Sequence, residues 1–306
     1  MTLRDEIRVS GFDGAALAAH LFRRDGLAPR ALPHAAVPLV CLPGHMRPAE
    51  VLTPFIERLL ARGDGPPAVL AIDHRGRGGS APRGDAGLYT PRAEAQDMLS
   101  VLDALGWHRA DVLGSGGGGL VVMASFATRP GLVRRLVLND IGPELDGVGL
   151  ARLKLSAQRD AGAPATWDEA ARAVKDAHTR RYPALEGEWA ALARLLYADE
   201  GGRPAPRVHA EVREHFASID ADDRYPDLWR EFRAMRHVRT LLLRAEHGDM
   251  VSERTVERMR EIHADLRVHD VEGQGHAPFL HAGDLPDVVG AFLADGSWPS
   301  PKAEAS

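Results

Sequence analysis

Residues 110–123 read "ADVLGSGGGGLVVM": a short apolar run, a serine among glycines, and a second, longer apolar run. The first run has strand character and the second that of a helix apolar nearly all round, hence buried. Two readings of the turn between them lead to different proteins. In one, "GSGGGG" is a dinucleotide-binding fingerprint, G-x-G-x-x-G at Gly114, Gly116 and Gly119. It follows a strand and opens a helix, and Asp140 lies about twenty residues on, where a ribose-binding acid would stand. Against this reading, several strands precede the motif, whereas the fingerprint normally follows the first strand. A P-loop fits less well, because no Lys-Ser or Lys-Thr follows the glycines. In the other reading the turn is a strand-to-helix elbow of the kind that exposes a nucleophile, with the nucleophile missing.

Outward from this turn the chain alternates strands and helices. "RVSGFDGAALAAHLFRR" reads as a hairpin, and "PLVCL" (38–42) and "AVLAID" (68–73) as buried strands. "PAEVLTPFIERLLARG" and "PRAEAQDMLSVLDALG" read as helices, and "RRLVLND" as the strand after the elbow helix. From about Ile141 to Arg239 only helical segments are expected. One of them, "TWDEAARAVKDAHTRR", opens on a capping box at Thr166 and Glu169. Alternation then resumes with "TLLLRAEH", "SERTVERMREI", "LRVHDVEG" and "LPDVVGAFLAD". The expected fold class is α/β, a mostly parallel central sheet flanked by helices. The expected organisation is a core of residues 1–141 and 236–306 interrupted by a helical insertion over 142–235. The Pro- and Ser-rich tail "SWPSPKAEAS" reads as frayed.

Composition narrows the partners. With 43 acidic and 38 basic residues and a net charge of −5, nothing points to nucleic acid. No run of about 18 apolar residues is present, so no membrane partner is expected. The N-terminus lacks the apolar stretch of a signal peptide, and a cytoplasmic location is the expectation. The single cysteine, Cys41, lies in an apolar run and reads as a buried strand residue. "HGD" (247–249) looks metal-like, but no further ligands stand at metal-site spacing, and no metal or other cofactor is expected.

Four loops then fall into place with the elbow. "LPGHMRP" (42–48), "DHRGRGGS" (73–80), "HGD" and "GQGHAPF" (273–279) each follow a strand. With them the chain resembles the α/β-hydrolase family along nearly its whole length outside the insertion. The resemblance implies a G-x-S-x-G nucleophile elbow in which Gly114 and Gly118 hold the small-residue positions. Gly116 then occupies the place of the nucleophile. Ser115 could serve in a shifted register, but that would put Leu113 where the turn needs a small residue. The resemblance assigns His276 as the catalytic histidine and Asp249 as the acid that orients it, with Ser252 capping the helix beyond. It assigns the backbone N–H groups of His45 and Gly117 to an oxyanion hole, and makes Asp73, Arg75, Gly76, Gly78 and Ser80 a structural turn. The insertion becomes a cap over the pocket. Among its aromatics and those nearby, Trp167, Trp189, Phe216, Trp229 and Phe279 are candidates for the substrate wall, Trp229 and Phe279 foremost.

The functional expectation is a hydrolase of a small ester, lactone or C–C bond that uses a His–Asp dyad and an oxyanion hole without the usual serine. A non-hydrolytic His–Asp enzyme (lyase, isomerase or cofactor-free oxygenase) and a catalytically inactive binding homologue remain open alternatives. Dinucleotide binding through Gly114–Gly119 is a further one. The partner expected is a small-molecule substrate.

Overall fold

A computed structural model of the protein describes residues 2–24, 37–82, 89–158, 163–219 and 227–294. The tail read as frayed lies outside these residues. At the centre is β5 (Ala110–Ser115), with β3 (Leu39–Leu42) on one side and β6 (Val133–Asn139) on the other. The full sheet has eight strands in the order β1-β2-β4-β3-β5-β6-β9-β10. Only the hairpin of β1 (Thr2–Ser10) and β2 (Ala16–Arg24) runs antiparallel to its neighbours. The other strands, β4 (Ala68–Ile72), β9 (Arg239–His247) and β10 (Leu266–Gly275) among them, pair in parallel.

Parallel strands covered on both faces should be apolar throughout, with alternate side chains feeding two cores. That pattern is present. Val40, Leu70, Val112 and Leu138 join one buried cluster, with α2 (Pro91–Ala104) and α3 (Gly117–Phe126). Their neighbours Cys41, Val69, Leu113 and Val137 join another, with α1 (Thr53–Ala61) and α10 (Leu285–Leu293). All ten residues of α3 are buried. Cys41 is a buried strand residue, and burial pushes its thiol pKa up.

Between β6 and β9 the chain forms α4 (Gly147–Gln158), α5 (Trp167–His178), α6 (Trp189–Leu196), α7 (Ala210–Ser218) and α8 (Trp229–Ala234). Thr166 caps α5 as expected, accepting from the Glu169 N–H. The expectation of helices alone needs correcting. Tyr197–Glu200 (β7) and Arg203–Pro206 (β8) pair as an antiparallel hairpin, turned by Gly201 and Gly202 with φ of +61° and +87°. A Gly-Gly turn that needs two positive φ values is a hairpin signal. The helical pattern of the preceding "LARLL" masked it. The helix α9 (Glu253–Ile262) starts at Ser252, whose hydroxyl accepts from the Thr255 N–H. The turn from Asp73 to Ser80 is structural as read. Asp73 accepts from the Ala49 and Gly79 N–H groups, and Ser80 Oγ donates to the Asp73 carbonyl. Arg75 makes a bidentate pair with Asp97.

Candidate active site

The strand ends decide what meets. β5 ends at Ser115, the chain turns through Gly116 at φ +49° and ψ −123°, and α3 begins at Gly117. A positive φ with this ψ is a conformation that side chains rarely adopt, and glycine enters it freely. The turn is also crowded. A Cβ at Gly114 would lie 2.5 Å from the Gly119 backbone, and one at Gly118 2.5 Å from the Leu42 carbonyl oxygen. A Cβ at Gly117 would overlap the His45 ring. These glycines thus seat α3 against β5 and the loop after β3. At Gly116 the situation differs: a Cβ there would point at His276, 3.1 Å from Nε2.

His276 stands just past β10. Its Nδ1 lies 3.0 Å from Asp140 Oδ2, on the residue that follows β6. The acid is therefore not Asp249, and that expectation is corrected. Asp140 is buried, sits at φ +54°, and has its other oxygen accepting from the Ala245 N–H at 2.9 Å. Asp249 faces two guanidiniums instead. Arg152 binds both of its oxygens, at 2.6 and 2.8 Å, and Arg181 adds a bond of 2.7 Å. Burial raises the Asp249 pKa, but these two arginines outweigh it and bring the group down to about 2. Both arginines come from the segment between β6 and β9, so no pattern around "HGD" could have announced them.

Ser115 turns away from this centre. Its Oγ accepts from Asn139 Nδ2 at 2.9 Å, and the same amide donates to the Pro278 carbonyl. The hydroxyl is tied to a side chain. Asp140, the ribose-binding acid of the dinucleotide reading, is bonded to an imidazole.

The loop after β3 is held from below. Arg77, fully buried, donates from Nε to the His45 carbonyl at 2.6 Å and from Nη1 to Glu94 at 2.7 Å. Burial would raise the Glu94 pKa, yet Arg77, His74 and His45 bring it to about 2. His45 is itself buried, which presses its pKa to about 3 and keeps the ring neutral. The His276 backbone is held too: the Tyr182 hydroxyl donates to its carbonyl at 2.5 Å. Arg77 and Tyr182 escaped the sequence reading because each acts on a backbone atom distant in the chain, and Glu94 because it acts through Arg77.

These groups border a cavity of about 350 Å³ lined by Gly44, His45, Ser115, Gly116, Gly117 and His276 on the sheet side. α4, α5 and α7 contribute Leu153, Ser156, Val174, His178 and Arg213 to the opposite wall. None of the five expected aromatics lines this cavity, although Tyr197 does. Trp229 packs edge-on to Phe232, under Arg258, and donates to Glu144. Phe279 is buried behind the cavity, stacked under Arg47 at 4.0 Å and near Tyr182 and His178. Trp167 lies beneath Arg194, Trp189 is buried among the insertion's own helices, and Phe216 packs on His45. Aromatics at helical spacing are used here as packing. No group of three or more His, Cys, Asp or Glu that could hold a metal occurs among the described residues, and no helix there is long and apolar enough to cross a membrane.

The sequence profile of the alpha/beta hydrolase family matches residues 39–288. Among solved structures, an alpha/beta hydrolase from Novosphingobium aromaticivorans superposes with a TM-score of 0.82 at 28% identity, covering 96% of this chain and 99% of that one. Among curated proteins, "Putative carbamate hydrolase RutD" of Caulobacter segnis is 39% identical over 70 residues, 23% of this chain and 26% of that protein. The 3-hydroxybutyrate-oligomer hydrolase of Cupriavidus necator is 33% identical over 85 residues, 28% of this chain and 29% of that one. The matches thus span between a quarter and three-tenths of these curated relatives.

Proposed function

The chain belongs to the alpha/beta hydrolase family, and from that premise we propose that it hydrolyses a small ester, lactone or C–C bond by adding water directly to the carbonyl, with no covalent enzyme intermediate. The observation that carries this reading is the direction of the bond glycine lacks: a side chain at Gly116 would project at His276 Nε2. The space a nucleophile would fill then belongs to water, and the base that would activate the nucleophile activates the water.

Each group has a role in that reaction. Asp140 accepts from Nδ1–H and so fixes the tautomer in which Nε2 is the basic nitrogen. Nε2 removes a proton from water as the water oxygen bonds to the carbonyl carbon. The electron pair moves to the carbonyl oxygen, which the backbone N–H groups of His45 and Gly117 receive, aided by the N-terminal end of α3. Collapse of the tetrahedral species breaks the bond to the leaving group, and the imidazolium returns its proton there. Residues 142–235 serve as the cap over a core of 1–141 and 236–306. Hydrolase activities named for the curated relatives are consistent with this chemistry.

The loss of a triad nucleophile costs on the order of 10⁶ in rate, while an oxyanion hole and binding retain about 10³–10⁴ over water. Turnover should therefore be slow and should depend on His276. Short aryl esters assayed with the unaltered protein and with His276→Ala test this. Turnover lost with the imidazole is the expected result. Equal rates in both proteins, or none in either, would overturn it.

A further inference from the structure

We propose that the substrate of this cavity carries a carboxylate, bound by Arg47 together with Arg213. The proposal rests on the hydrolase reading only in taking the cavity beside His276 as the reaction site, and it narrows the substrate class within that reading.

Four guanidiniums, those of Arg47, Arg152, Arg207 and Arg213, line the cavity, and among the described residues no aspartate or glutamate does. This occurs in a chain with more acidic than basic residues and a net charge of −5. Elsewhere in the protein several arginines are matched: Arg134 binds Asp111, Arg129 binds Asp103, and Arg75 binds Asp97. In the cavity, Arg152 is committed to Asp249. Arg207 also lines a neighbouring pocket beside Glu50 and Asp73, and its charge acts on the Glu50 carboxylate. The other two differ. Arg47 reaches only neutral acceptors, the Ala277 carbonyl and the Tyr182 hydroxyl, both at 3.3 Å, above the face of Phe279. Arg213 makes no side-chain hydrogen bond or ion pair among the described residues.

Two cations facing one cavity with no carboxylate in its described lining favour an anion there. A guanidinium presents two parallel N–H bonds, which match a carboxylate edge to edge. Arg47 is placed to use that match beside the chemistry, because the Ala277 carbonyl that holds it belongs to the residue after His276. It is also held in place by the Phe279 ring and by Tyr182, so little freedom is lost on binding. Arg213 approaches from the opposite, inserted segment. The arrangement suits a carbonyl compound whose acid group sits a few bonds from the reacting carbon. His178, the last residue of α5 and part of this wall, adds no charge near neutral pH: burial first, then Arg47 and Arg152, lower its pKa to about 4.

The test is equilibrium binding of unreactive probes to the intact protein at low salt, by calorimetry and thermal shift. Glutarate should bind, glutaramide of the same length should bind at least tenfold more weakly, and added salt should weaken glutarate alone. Arg47→Gln and Arg213→Gln should each weaken glutarate on the order of tenfold, and Arg47→Lys should restore only part of the loss. Arg213→Gln disturbs no packing contact of the kind Arg47 makes, so it guards against a folding artefact. His276→Ala should still bind glutarate, which separates this proposal from the hydrolytic one. The proposal fails if glutarate does not bind, if glutaramide binds as well, or if neither arginine variant weakens it. Inorganic phosphate binding more tightly than glutarate would overturn the choice of carboxylate.

Discussion

Asp140 and Asp249 stand after neighbouring parallel strands, β6 and β9, and either could reach a histidine at the end of β10. What separates them is the company each keeps. Asp140 is buried with one oxygen on a backbone N–H and the other on the imidazole, whereas Asp249 is taken by Arg152 and Arg181. Asp140→Asn should therefore lower kcat on the order of 10³–10⁴, by favouring the wrong tautomer of His276. Asp249→Asn should lower the Tm, at a cost of about 1–3 kcal/mol for unpairing two guanidiniums, without a comparable fall in kcat. Steady-state kinetics and melting curves on the pair check this, and the reverse pattern would restore Asp249 as the acid. Gly116→Ser should bring the protein into reaction with a fluorophosphonate, seen as one adduct by intact mass, while the unaltered protein stays unlabelled. The histidine and the elbow were legible in the sequence because both sit in short motifs with fixed neighbours. The acid was not, because its identity depends on arginines that the chain supplies from a distant segment.

At the scale of elements, the glycine run is a packing device. Gly118 lets α3 approach the Leu42 and Pro43 carbonyls, and a methyl group there would lie 2.5 Å from the first of them. Gly118→Ala should destabilise the protein by about 1–3 kcal/mol, read as a lower urea midpoint. Stability unchanged by the methyl group would show that the elbow is looser than its contacts. The same physics explains what could be read here. Strands buried on both faces announce themselves by uninterrupted apolar runs, so β3 to β6 and β9 were found close to their observed ends. The hairpin of β7 and β8 is short, carries Pro204 and Pro206, and lies outside the main sheet, so its residues show little alternation. The aromatic wall failed for a related reason: helical spacing marks a face as inward, and does not say whether that face meets a cavity or another helix.

The whole molecule keeps neutral histidines beside its site, and this sets its response to acid. Burial brings His45 to about 3 and His178 to about 4, each below an unfolded value near 6.5. Between those limits the unfolded chain binds more protons than the folded one, so stability should be full above pH 6.5 and fall as pH drops towards 4. At pH 5 the loss should be about 2 kcal/mol for each histidine, measured as urea midpoints against pH 7. His74, His215 and His263, lowered by burial as well, add to the fall; His178→Gln should remove about 2 kcal/mol of it at pH 5, and a flat profile from pH 7 to 5 would contradict the burial of these rings. The account as a whole stands on water, and not a side chain, attacking the carbonyl under His276. Stopped-flow release of nitrophenolate, with enzyme and ester at comparable concentrations, tests this most directly. With the ester at comparable concentration, release should follow a single exponential to completion, and with the ester raised to a large excess the account predicts a linear trace from time zero in the unaltered protein, abolished in His276→Ala. A burst equal to the enzyme concentration would reveal a covalent intermediate on another residue and contradict it.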